Sequence, residues 1–325
     1  MKTIPDDIKR LAFEAGFDLC GITTPDVIPH AKQAYENWIE IEYHGELDYM
    51  AKNIERRTDP SQILPGVKSI IMLGLNYFQP DSGPTPEGHG RVSKYARGRD
   101  YHKVIAKKTR AFIASVEKYI ESEVKPEFRW FVDYGPMLER AYAEKAGLGY
   151  IGKNAMLINR QFGSWIFLSE VITSLDLQPD DSSIVDHGRC GKCRAGIVQC
   201  PTGAIIEDRT VDARKCISYL TIERPSEISD ELRRQMGDRI FGCDICQQVC
   251  PHNDRRSKPT RHPEFAAENG VGEFIDARKI LRMESREEFL RLTAGTPLTR
   301  PKLDGLQRNA GIVLENEAVN RDANR

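Results

Sequence analysis

The chain has 325 residues, a formal net charge of −1, 40% apolar residues and 29% charged residues. This length allows more than one domain, the composition is that of a folded globular protein, and the near-zero charge excludes a polybasic, globally nucleic-acid-attracting chain. Without an apolar run near 18 residues or the apolar core of a secretory signal, we expect a cytoplasmic protein that spans no membrane.

Helices and strands alternate through the first half of the chain. Gly16 and Gly147 are expected to end helices, and Pro136 to begin one. Apolar spacing predicts, in chain order, a helix over 4–15, a strand over 17–23, a helical region over 31–49, a strand over 69–75, a surface loop over 79–90, a helix over 101–123, a strand over 128–133, a helix over 136–146 and a strand within 163–175. This alternation predicts an α/β (α+β) domain with a central sheet.

The second half begins with a loop-rich, cysteine-rich module. A polar linker over 255–262 follows it, then helices over 284–293 and 303–317, and a polar end over 318–325 that we expect to fray. We therefore divide the chain into a catalytic domain (1–178), a cysteine module (179–255) and a helical C-terminal region (256–325).

Seven of the eight cysteines lie in the module. They read Cys190-Gly-Lys-Cys193, Cys200-Pro201, Cys216, Cys243-Asp-Ile-Cys246 and Cys250-Pro251. Paired C-x2-C turns, each followed by Cys-Pro, are typical of two-cluster bacterial ferredoxins, in which the cysteine of each Cys-Pro ligates the other cluster. The crossing rule predicts one cluster on Cys190, Cys193 and Cys250, and another on Cys200, Cys216, Cys243 and Cys246.

The first ligand set is short of one thiolate. The usual run is C-x2-C-x2-C-x3-C-P, and here its third position is Gly196. The sequence leaves open a three-iron cluster, a fourth ligand that is not a cysteine, or a labile cluster.

Two other readings of the cysteines are weaker. Disulfides are disfavoured in a cytosolic chain. Structural zinc also uses paired C-x2-C motifs, but the two Cys-Pro dipeptides favour iron–sulfur clusters. Cys20, outside the module, is expected to be an apolar filler in the core.

Three segments between the first strands and the module are rich in Gly, Tyr, Arg and Asp, namely 93–102, 133–140 and 147–154. None contains a dinucleotide or P-loop motif. Each could be a surface turn, but their position beside a redox module favours a large polar cofactor. Asp133 follows a predicted strand, where sites form in α/β sheets. As a proton donor it would need a pKa raised from about 3.9; alternatively it caps the next helix.

Taken together, these segments resemble the epoxyqueuosine reductase family over nearly the whole chain. The matching stretches, in order, are Glu55-Arg-Arg-Thr-Asp-Pro60, Gly98-Arg-Asp-Tyr-His102, Val132-Asp133, Glu139-Arg140, Ala146-Gly-Leu-Gly149, Lys153-Asn154, Gly163-Ser164, Cys200-Pro-Thr-Gly-Ala204, Arg214-Lys-Cys-Ile-Ser218, Gly242-Cys-Asp-Ile-Cys-Gln-Gln-Val-Cys-Pro251 and Arg308-Asn309.

The resemblance implies a flavin-reductase-like domain that binds base-off cobalamin, followed by a ferredoxin-like module with two 4Fe–4S clusters. It implies reduction of epoxyqueuosine to queuosine at the wobble position of tRNA, with electrons from an external flavodoxin or ferredoxin. Asp133 matches the family's proton donor. The positions that match the cofactor pocket are Arg57, Ser93, Tyr101, Asp133, Arg140, Asn154, Leu157, Leu168 and Ser218. A monomer is expected.

The sequence departs from the family pattern in two ways. The family carries a cysteine where Gly196 stands. Many members also continue past Arg308-Asn309 into helical repeats that grip tRNA, whereas this sequence ends at Arg325, as a short form or a truncated one. Basic residues around 209–214, Arg224 and 255–261 would suit tRNA phosphates, or form an ordinary solvated face.

Three rival functions share some of these features. A corrinoid reductive dehalogenase would combine cobalamin with two clusters but is usually exported. A plain electron-transfer ferredoxin would need no Asp133. A zinc-stabilised nucleic-acid-binding module would carry no iron.

Overall fold

A computed structural model describes residues 4–120, 125–180 and 189–323. The helices, α1 to α14 in chain order, are Ile4–Glu14, Pro29–Glu40, Asp48–Ala51, Ile54–Thr58, Tyr101–Tyr119, Glu139–Lys145, Ala195–Val198, Ile217–Ile222, Asp230–Gln235, Ile245–Gln248, Pro251–Arg256, Ala277–Leu281, Arg286–Thr293 and Lys302–Ala323. The strands, β1 to β11, are Leu19–Thr23, Ser69–Asn76, His89–Val92, Phe128–Phe131, Tyr150–Ile151, Leu157–Ile158, Ile166–Thr173, Ile205–Glu207, Thr210–Val211, Arg239–Phe241 and Phe274–Asp276.

The central sheet has the strand order β1-β2-β7-β4, and every neighbouring pair is antiparallel. The predicted α/β (α+β) class with a central sheet is confirmed, and the antiparallel pairing makes it the α+β variant. The edge-strand position of β4 matters for function, because the chain leaves the sheet there at Phe131 and turns directly into the Asp133 segment.

Strand β2 is buried along its whole length because helices cover both faces of the sheet. Ile71 and Leu73 pack in a core with residues of α1 and α5, whereas Ile70 and Met72 pack in a second core with residues of α6. Successive strand residues point to opposite faces, so two covered faces require the near-continuous apolar run that this strand has.

A second sheet, with the order β10-β3-β11, joins distant parts of the chain. The central strand β3 lies within 1–178, β10 within the cysteine module and β11 in the C-terminal region. This sheet packs on helices α12 to α14 through a shared apolar core. The three predicted segments are thus tied together by strand pairing, and their boundaries stay a prediction.

Three predicted element boundaries were wrong. Helix α6 begins at Glu139 rather than Pro136, since residues 132–138 form a turn packed against the sheet. The expected frayed end is helical to Ala323, and the predicted helix over 31–49 breaks after Glu40. The last residues of the helix predicted over 101–123 lie outside the described part of the chain, from 121 onwards.

The predicted loop over 79–90 hides the start of a strand. Strand β3 begins at His89, and its four residues, His-Gly-Arg-Val, show no apolar alternation that would predict a strand. Pairing with β10 and β11 defines this strand, and such pairing over long sequence distances leaves no local signal.

No helix in residues 4–120, 125–180 or 189–323 combines the length and the apolar character that crossing a membrane requires.

Candidate active site and cysteine module

Asp133 lies at the tip of a tight turn after β4. Its φ is +62°, and the Tyr134 amide donates to the Val132 carbonyl over 2.6 Å. The left-handed region is uncommon for a residue other than glycine and is found where surrounding contacts enforce it, often at functional sites. The turn packs closely on the sheet at Gly135, where an added Cβ would lie 2.5 Å from Phe131 and 2.6 Å from the Glu170 carboxylate.

Asp133 does not cap the following helix. Leu138 occupies the cap position of α6, without a side-chain hydrogen bond. Instead, a side chain of the helix binds the turn, since the Asp133 amide donates a hydrogen bond to the Glu139 carboxylate. This leaves the Asp133 carboxylate free of a capping role and 56% exposed. We use the name Asp133 cleft for the region formed by Asp133, Gly135, Tyr101, His102 and Arg57.

Two neighbours on helix α5 converge on the Asp133 Oδ2 atom. The Tyr101 hydroxyl donates to it, and His102 Nε2 lies 3.6 Å away. The Tyr101 ring stacks on Phe167 at 4.3 Å between centroids, which fixes its hydroxyl. Asp100, the cap of α5, accepts from His102 Nδ1 at 2.8 Å and thereby turns Nε2 towards Asp133.

These contacts decide the protonation of Asp133. The surrounding protein acts to raise the pKa of its carboxyl, but hydrogen bonds from His102 and Tyr101 and the charges of His102 and Arg140 outweigh it, so the pKa lies below the usual range. The pKa of His102 is raised to about 9: burial opposes the charge, and Asp100 and Asp133 more than compensate. At rest, the pair consists of a His102 imidazolium beside an Asp133 carboxylate. The pKa of Asp133 is thus lowered, whereas a carboxyl that donates a proton unaided would need a raised pKa.

Two further carboxyls lie beneath the turn. Glu170 is 1% exposed, and within the described residues its Oε2 atom has no hydrogen-bond partner. Burial first, and then the charges of Glu139 and Asp133, raise the pKa of Glu170 well above its usual value. Burial and Asp133 also raise the pKa of Glu139, to about 7. Glu170 therefore holds its proton more tightly than an exposed glutamate does.

Several predicted cofactor-binding residues surround this cleft. Arg57 donates to the Gly135 carbonyl at 3.5 Å, and Arg140 donates to the Ala155 carbonyl while its charge acts on Asp133. In the part of the chain that is described, Arg57 Nε and Ser93 Oγ are buried atoms without any hydrogen-bond partner. Leaving such atoms unpaired costs about 1–3 kcal/mol each. They fit a large polar ligand such as cobalamin, which would satisfy them.

The other predicted residues lie further from Asp133. Leu157 and Leu168 are buried in the same apolar core, on strands β6 and β7. Asn154 donates to the Cys246 carbonyl at 3.2 Å, which joins the catalytic domain to the module. Ser218 donates to the Cys216 sulfur through both its amide and its hydroxyl, so it lies at a thiol rather than at the cleft.

Four thiols form one electrostatic group. Burial raises the pKa of Cys246, followed by the charges of Cys216, Cys243 and Cys200, and the Ala204 amide donates to the Cys200 sulfur at 3.3 Å. Amide donors of this kind stabilise thiolates and tune a bound cluster. These are the four residues that the crossing rule assigns to one cluster.

The remaining thiols of the module form the second group. Burial raises the pKa of Cys250, and the charges of Cys190 and Cys193 raise it further. The Lys153 amide donates to the Cys190 sulfur at 3.5 Å. No three metal-binding side chains of the described residues already stand in ion-binding geometry, so the two groups reflect electrostatic proximity. Their membership suits two clusters, with three and four thiolates.

Tyr95 lies between the cleft and the segment that leads into Cys243. Its ring packs edge-on against Tyr101 at 6.0 Å and in a tilted arrangement against Phe241 at 6.1 Å. Burial, and then the charges of Asp133 and of Asp244 in the Cys243–Cys246 turn, raise the pKa of Tyr95. Aromatic contacts thus lead from Tyr101, which donates to Asp133, to Phe241, two residues before Cys243.

Sequence reasoning missed three residues of the cleft. His102 stands in a matched segment, but nothing in its spacing distinguishes it from a surface histidine. Tyr95 is likewise in a matched segment. Arg300, which donates twice to Glu223 at 2.9 and 3.0 Å and whose charge interacts with Asp133, comes from the C-terminal region. No local signal could have placed it here.

Comparison with known proteins agrees with this arrangement. Residues 57–134 match the family model described as epoxyqueuosine reductase QueG, DUF1730, and residues 189–253 match the 4Fe–4S double cluster binding domain. An epoxyqueuosine reductase of Leadbetterella byssophila is 41% identical over 97% of this chain and 100% of its own length.

Two solved structures extend the comparison to the fold. The epoxyqueuosine reductase of Streptococcus thermophilus superposes with a TM-score of 0.85 at 30% identity, over 97% of this chain and 82% of that one. A second epoxyqueuosine reductase, solved with an epoxyqueuosine-modified tRNA stem loop, gives 0.83 at 29% identity, over 96% and 81%. With a 41% identical relative covered along its entire length, the chain belongs to the epoxyqueuosine reductase family, whose members are oxidoreductases.

Proposed function

We propose that this protein reduces epoxyqueuosine to queuosine at the wobble position of tRNA, using base-off cobalamin bound in the Asp133 cleft and electrons from two iron–sulfur clusters. The observation that carries the proposal is an exposed carboxylate held by Tyr101 and His102, with Tyr95 between it and the segment that leads into the group of four thiols.

The net reaction takes up two electrons and two protons and releases water. Bound cobalamin would supply the low-valent metal that reduces the epoxide carbon, chemistry that no side chain offers. Opening the ring leaves an alkoxide, and Asp133 is the group positioned to protonate it. Because Asp133 is ionised at rest, it must receive a proton as the alkoxide forms.

The chain's own residues would hold the cofactor in two ways. Arg57, Ser93, Arg140 and Asn154 offer polar contacts, and two of them carry buried atoms that lack protein partners among the described residues. Apolar walls come from Leu157 and Leu168. Tyr101 and Asp133 would face the reacting side, while Ser218 would act at the Cys216 end of the electron path.

The partners follow from the same site. The tRNA substrate is supported by the solved relative that holds a modified tRNA stem loop. Delivery of single electrons to the clusters requires an external donor of the flavodoxin or ferredoxin type. We place the protein in the cytoplasm as a monomer, a setting in which seven cluster thiols stay reduced.

The test is an Asp133→Asn variant reconstituted anaerobically with iron, sulfide and hydroxocobalamin. Turnover of epoxyqueuosine-tRNA should fall by about 100- to 10,000-fold, the usual contribution of a positioned acid, while cobalamin and iron contents stay at the wild-type level. Full turnover in this variant would remove Asp133 from the mechanism. Wild-type protein that takes up clusters but no cobalamin would refute the proposed function itself.

A further inference from the structure

Gly196 stands at the position of the fourth cysteine ligand of the three-thiol cluster, which is the cluster on Cys190, Cys193 and Cys250. A cysteine would fit there, since a Cβ on Gly196 would lie 3.4 Å from Asn154 Cβ and from the Cys246 carbonyl, in ordinary van der Waals contact. The backbone of Gly196 is that of helix α7 and needs no glycine. Position 196 therefore has room for a cysteine, and the three-thiol cluster lacks its fourth cysteine ligand only because the residue there is glycine.

No other cysteine takes its place, and around Gly196 the described residues show no substitute side chain. The three atoms nearest to an added Cβ are Asn154 Cβ, the Cys246 carbonyl oxygen and Cys246 Cβ. The Asn154 amide is engaged by the Cys246 carbonyl and the Met156 amide. Tyr150 and His252 are polar side chains close to this group, with ring centroids 5.8 Å apart, but they lie at Cys190 and Cys250 and not at Gly196.

The Cys243–Cys250 half of the motif shows how a cysteine from elsewhere in the chain can replace a missing ligand. Counting six residues on from Cys243, as Gly196 follows Cys190, leads to Val249, so that half lacks its third cysteine too. There Cys216 joins from outside the motif. The one remaining cysteine, Cys20, lies in the first core beside Lys9 and Asp180, and cannot serve the three-thiol group in the same way.

Solvent reaches this group. Residues 191–194 are exposed, including the ligand Cys193. We infer that the cluster on Cys190, Cys193 and Cys250 has one iron without a protein thiolate, which carries a water-derived ligand and exchanges readily. This inference rests on the cluster binding of the proposed function.

A site-differentiated cluster has a defined oxidative chemistry. Removal of one electron by an outer-sphere oxidant such as ferricyanide converts [4Fe–4S]2+ into [3Fe–4S]+ with release of one Fe2+, and all bonds to the three thiolates remain. The all-cysteine cluster on Cys200, Cys216, Cys243 and Cys246 has no such open iron and should survive the same treatment.

The experiment compares the reconstituted full-length wild type with Gly196→Cys and Gly196→Ala, where alanine adds the Cβ without a thiol. After one equivalent of ferricyanide, wild type and Gly196→Ala should each lose one iron per protein and show the EPR signal of a three-iron cluster. Gly196→Cys should keep its iron and show no such signal. Cyanide, as a probe of an open iron, should perturb the cluster spectrum of the first two proteins only.

Two results would overturn the inference in distinguishable ways. If all three proteins resist ferricyanide and cyanide alike, another ligand completes the cluster, and the proposed function stands. If no protein takes up iron and sulfide at the module, the cluster part of the proposed function falls as well.

A separate observation concerns the proton that Asp133 needs. His102 lies between two carboxylates, 2.8 Å from Asp100 and 3.6 Å from Asp133 Oδ2, and 36% of its side chain is exposed. We infer that His102 is a positioning residue: as the epoxide opens, the alkoxide takes the proton of the Asp133 carboxyl, Nε2 of His102 supplies that proton to Asp133 in the same step, and solvent reprotonates His102. Tyr101, which donates to the same oxygen, keeps the carboxylate aligned with Nε2.

The pH profile separates a relay from a structural role. His102 is faced by Asp100, Asp133, Tyr101 and Tyr134. Because its pKa is about 9, His102 of the wild type is protonated below pH 9 and can supply a proton, and it loses that proton above pH 9. His102→Gln should lose turnover by about 100-fold, the lower end for a positioned proton transfer, and should lose the limb near pH 9.

The control is His30→Gln, an exposed histidine away from the cleft, which should match wild type. Added imidazole should restore part of the activity of His102→Ala. A His102→Gln variant with an unchanged pH limb would overturn the relay, whatever its activity.

Discussion

The Asp133 cleft rests on a buried antiparallel sheet. The part of the cysteine module that carries Cys190, Cys193 and Cys250 has little apolar core of its own, in contrast to residues 213–236, which form a small core. Strand β2 beneath the cleft is buried at every residue. In the module, helix α7 has no buried residue, and the core around Cys250 consists of Tyr150 and Ile158 from the catalytic domain. The sheet can hold the catalytic side chains before any cofactor binds, but the part of the module around Cys190, Cys193 and Cys250 needs cluster binding for its stability.

The difference also concerns polar groups. The cleft keeps polar atoms unpaired at Arg57 Nε and Ser93 Oγ, which a rigid sheet can tolerate until a ligand arrives. In the module the thiols are grouped by short loops and already receive amide donors, as at Cys190 and Cys200. Loss of the bound cofactor should therefore change only the immediate surroundings of the cleft, whereas loss of a cluster should destabilise the fold of the module.

The largest effect is expected for Cys246→Ser. Cys246 interacts with the three other thiols of its group, so its removal should abolish that cluster, interrupt electron delivery and reduce turnover below detection. Iron content and visible absorption measure the loss of the cluster, and limited proteolysis should show cleavage in the module while the cleft domain persists.

The matched control is Cys20→Ala, which removes a cysteine outside both groups. Burial raises the pKa of Cys20 to about 12, so it remains an inert thiol in strand β1. Its iron content should equal that of wild type. If Cys246→Ser were as protease-resistant as Cys20→Ala, the module would not depend on its cluster for stability.

An intermediate effect is expected for Tyr101→Phe. Hydrogen bonds to charged groups contribute about 1.5–3 kcal/mol, and losing the alignment of Asp133 should lower kcat roughly tenfold, since each 1.4 kcal/mol corresponds to a factor of ten. Both clusters should be unaffected. The measurement is single-turnover reduction of epoxyqueuosine-tRNA with chemically reduced protein.

Tyr119→Phe provides the control for this variant, because Tyr119 also donates to an aspartate, Asp7, but at the surface. Its rate should equal that of wild type. An equal rate in Tyr101→Phe as well would show that the cleft does not depend on this hydrogen bond.

The sequence predicts those features that depend on short spacing. Contiguous apolar runs located the central sheet, because a strand covered on both faces must be apolar throughout, as in β2. Cysteine spacing named the members of the two thiol groups, because ligation of one cluster by a tight turn requires neighbouring residues.

Features that depend on contacts between distant segments could not be predicted. Strand β3 is defined by β10 and β11, and Arg300 reaches the cleft from the C-terminal region. The ionisation of Asp133 is of the same kind, because its pKa depends on where Tyr101 and His102 point. The location of Asp133 at a strand end was predicted correctly, although the rule used applies to parallel sheets and this one is antiparallel.

The smallest effect is expected for Glu170→Gln. This variant tests whether the sheet beneath the Asp133 cleft contains a buried charge. Burial, Glu139 and Asp133 raise the pKa of Glu170, so the folded protein keeps a proton that the unfolded chain releases near pH 4.3. Above that pH the wild type should lose stability at about 1.4 kcal/mol per pH unit relative to the variant, until the folded-state pKa is reached. Thermal midpoints should therefore coincide near pH 4 and favour Glu170→Gln increasingly at higher pH.

The exposed Glu268→Gln is the control, and it should follow wild type at every pH. Because the glutamine preserves the shape of a neutral carboxyl, turnover should stay within about twofold of wild type, as for a conservative change that leaves packing intact. If the Glu170→Gln midpoints track wild type across the pH range, Glu170 is ionised in the fold and the Asp133 turn rests on a buried charge. In that case the cleft would carry an electrostatic strain that only its bound cofactor could relieve, and it would depend on its ligand as much as the module does.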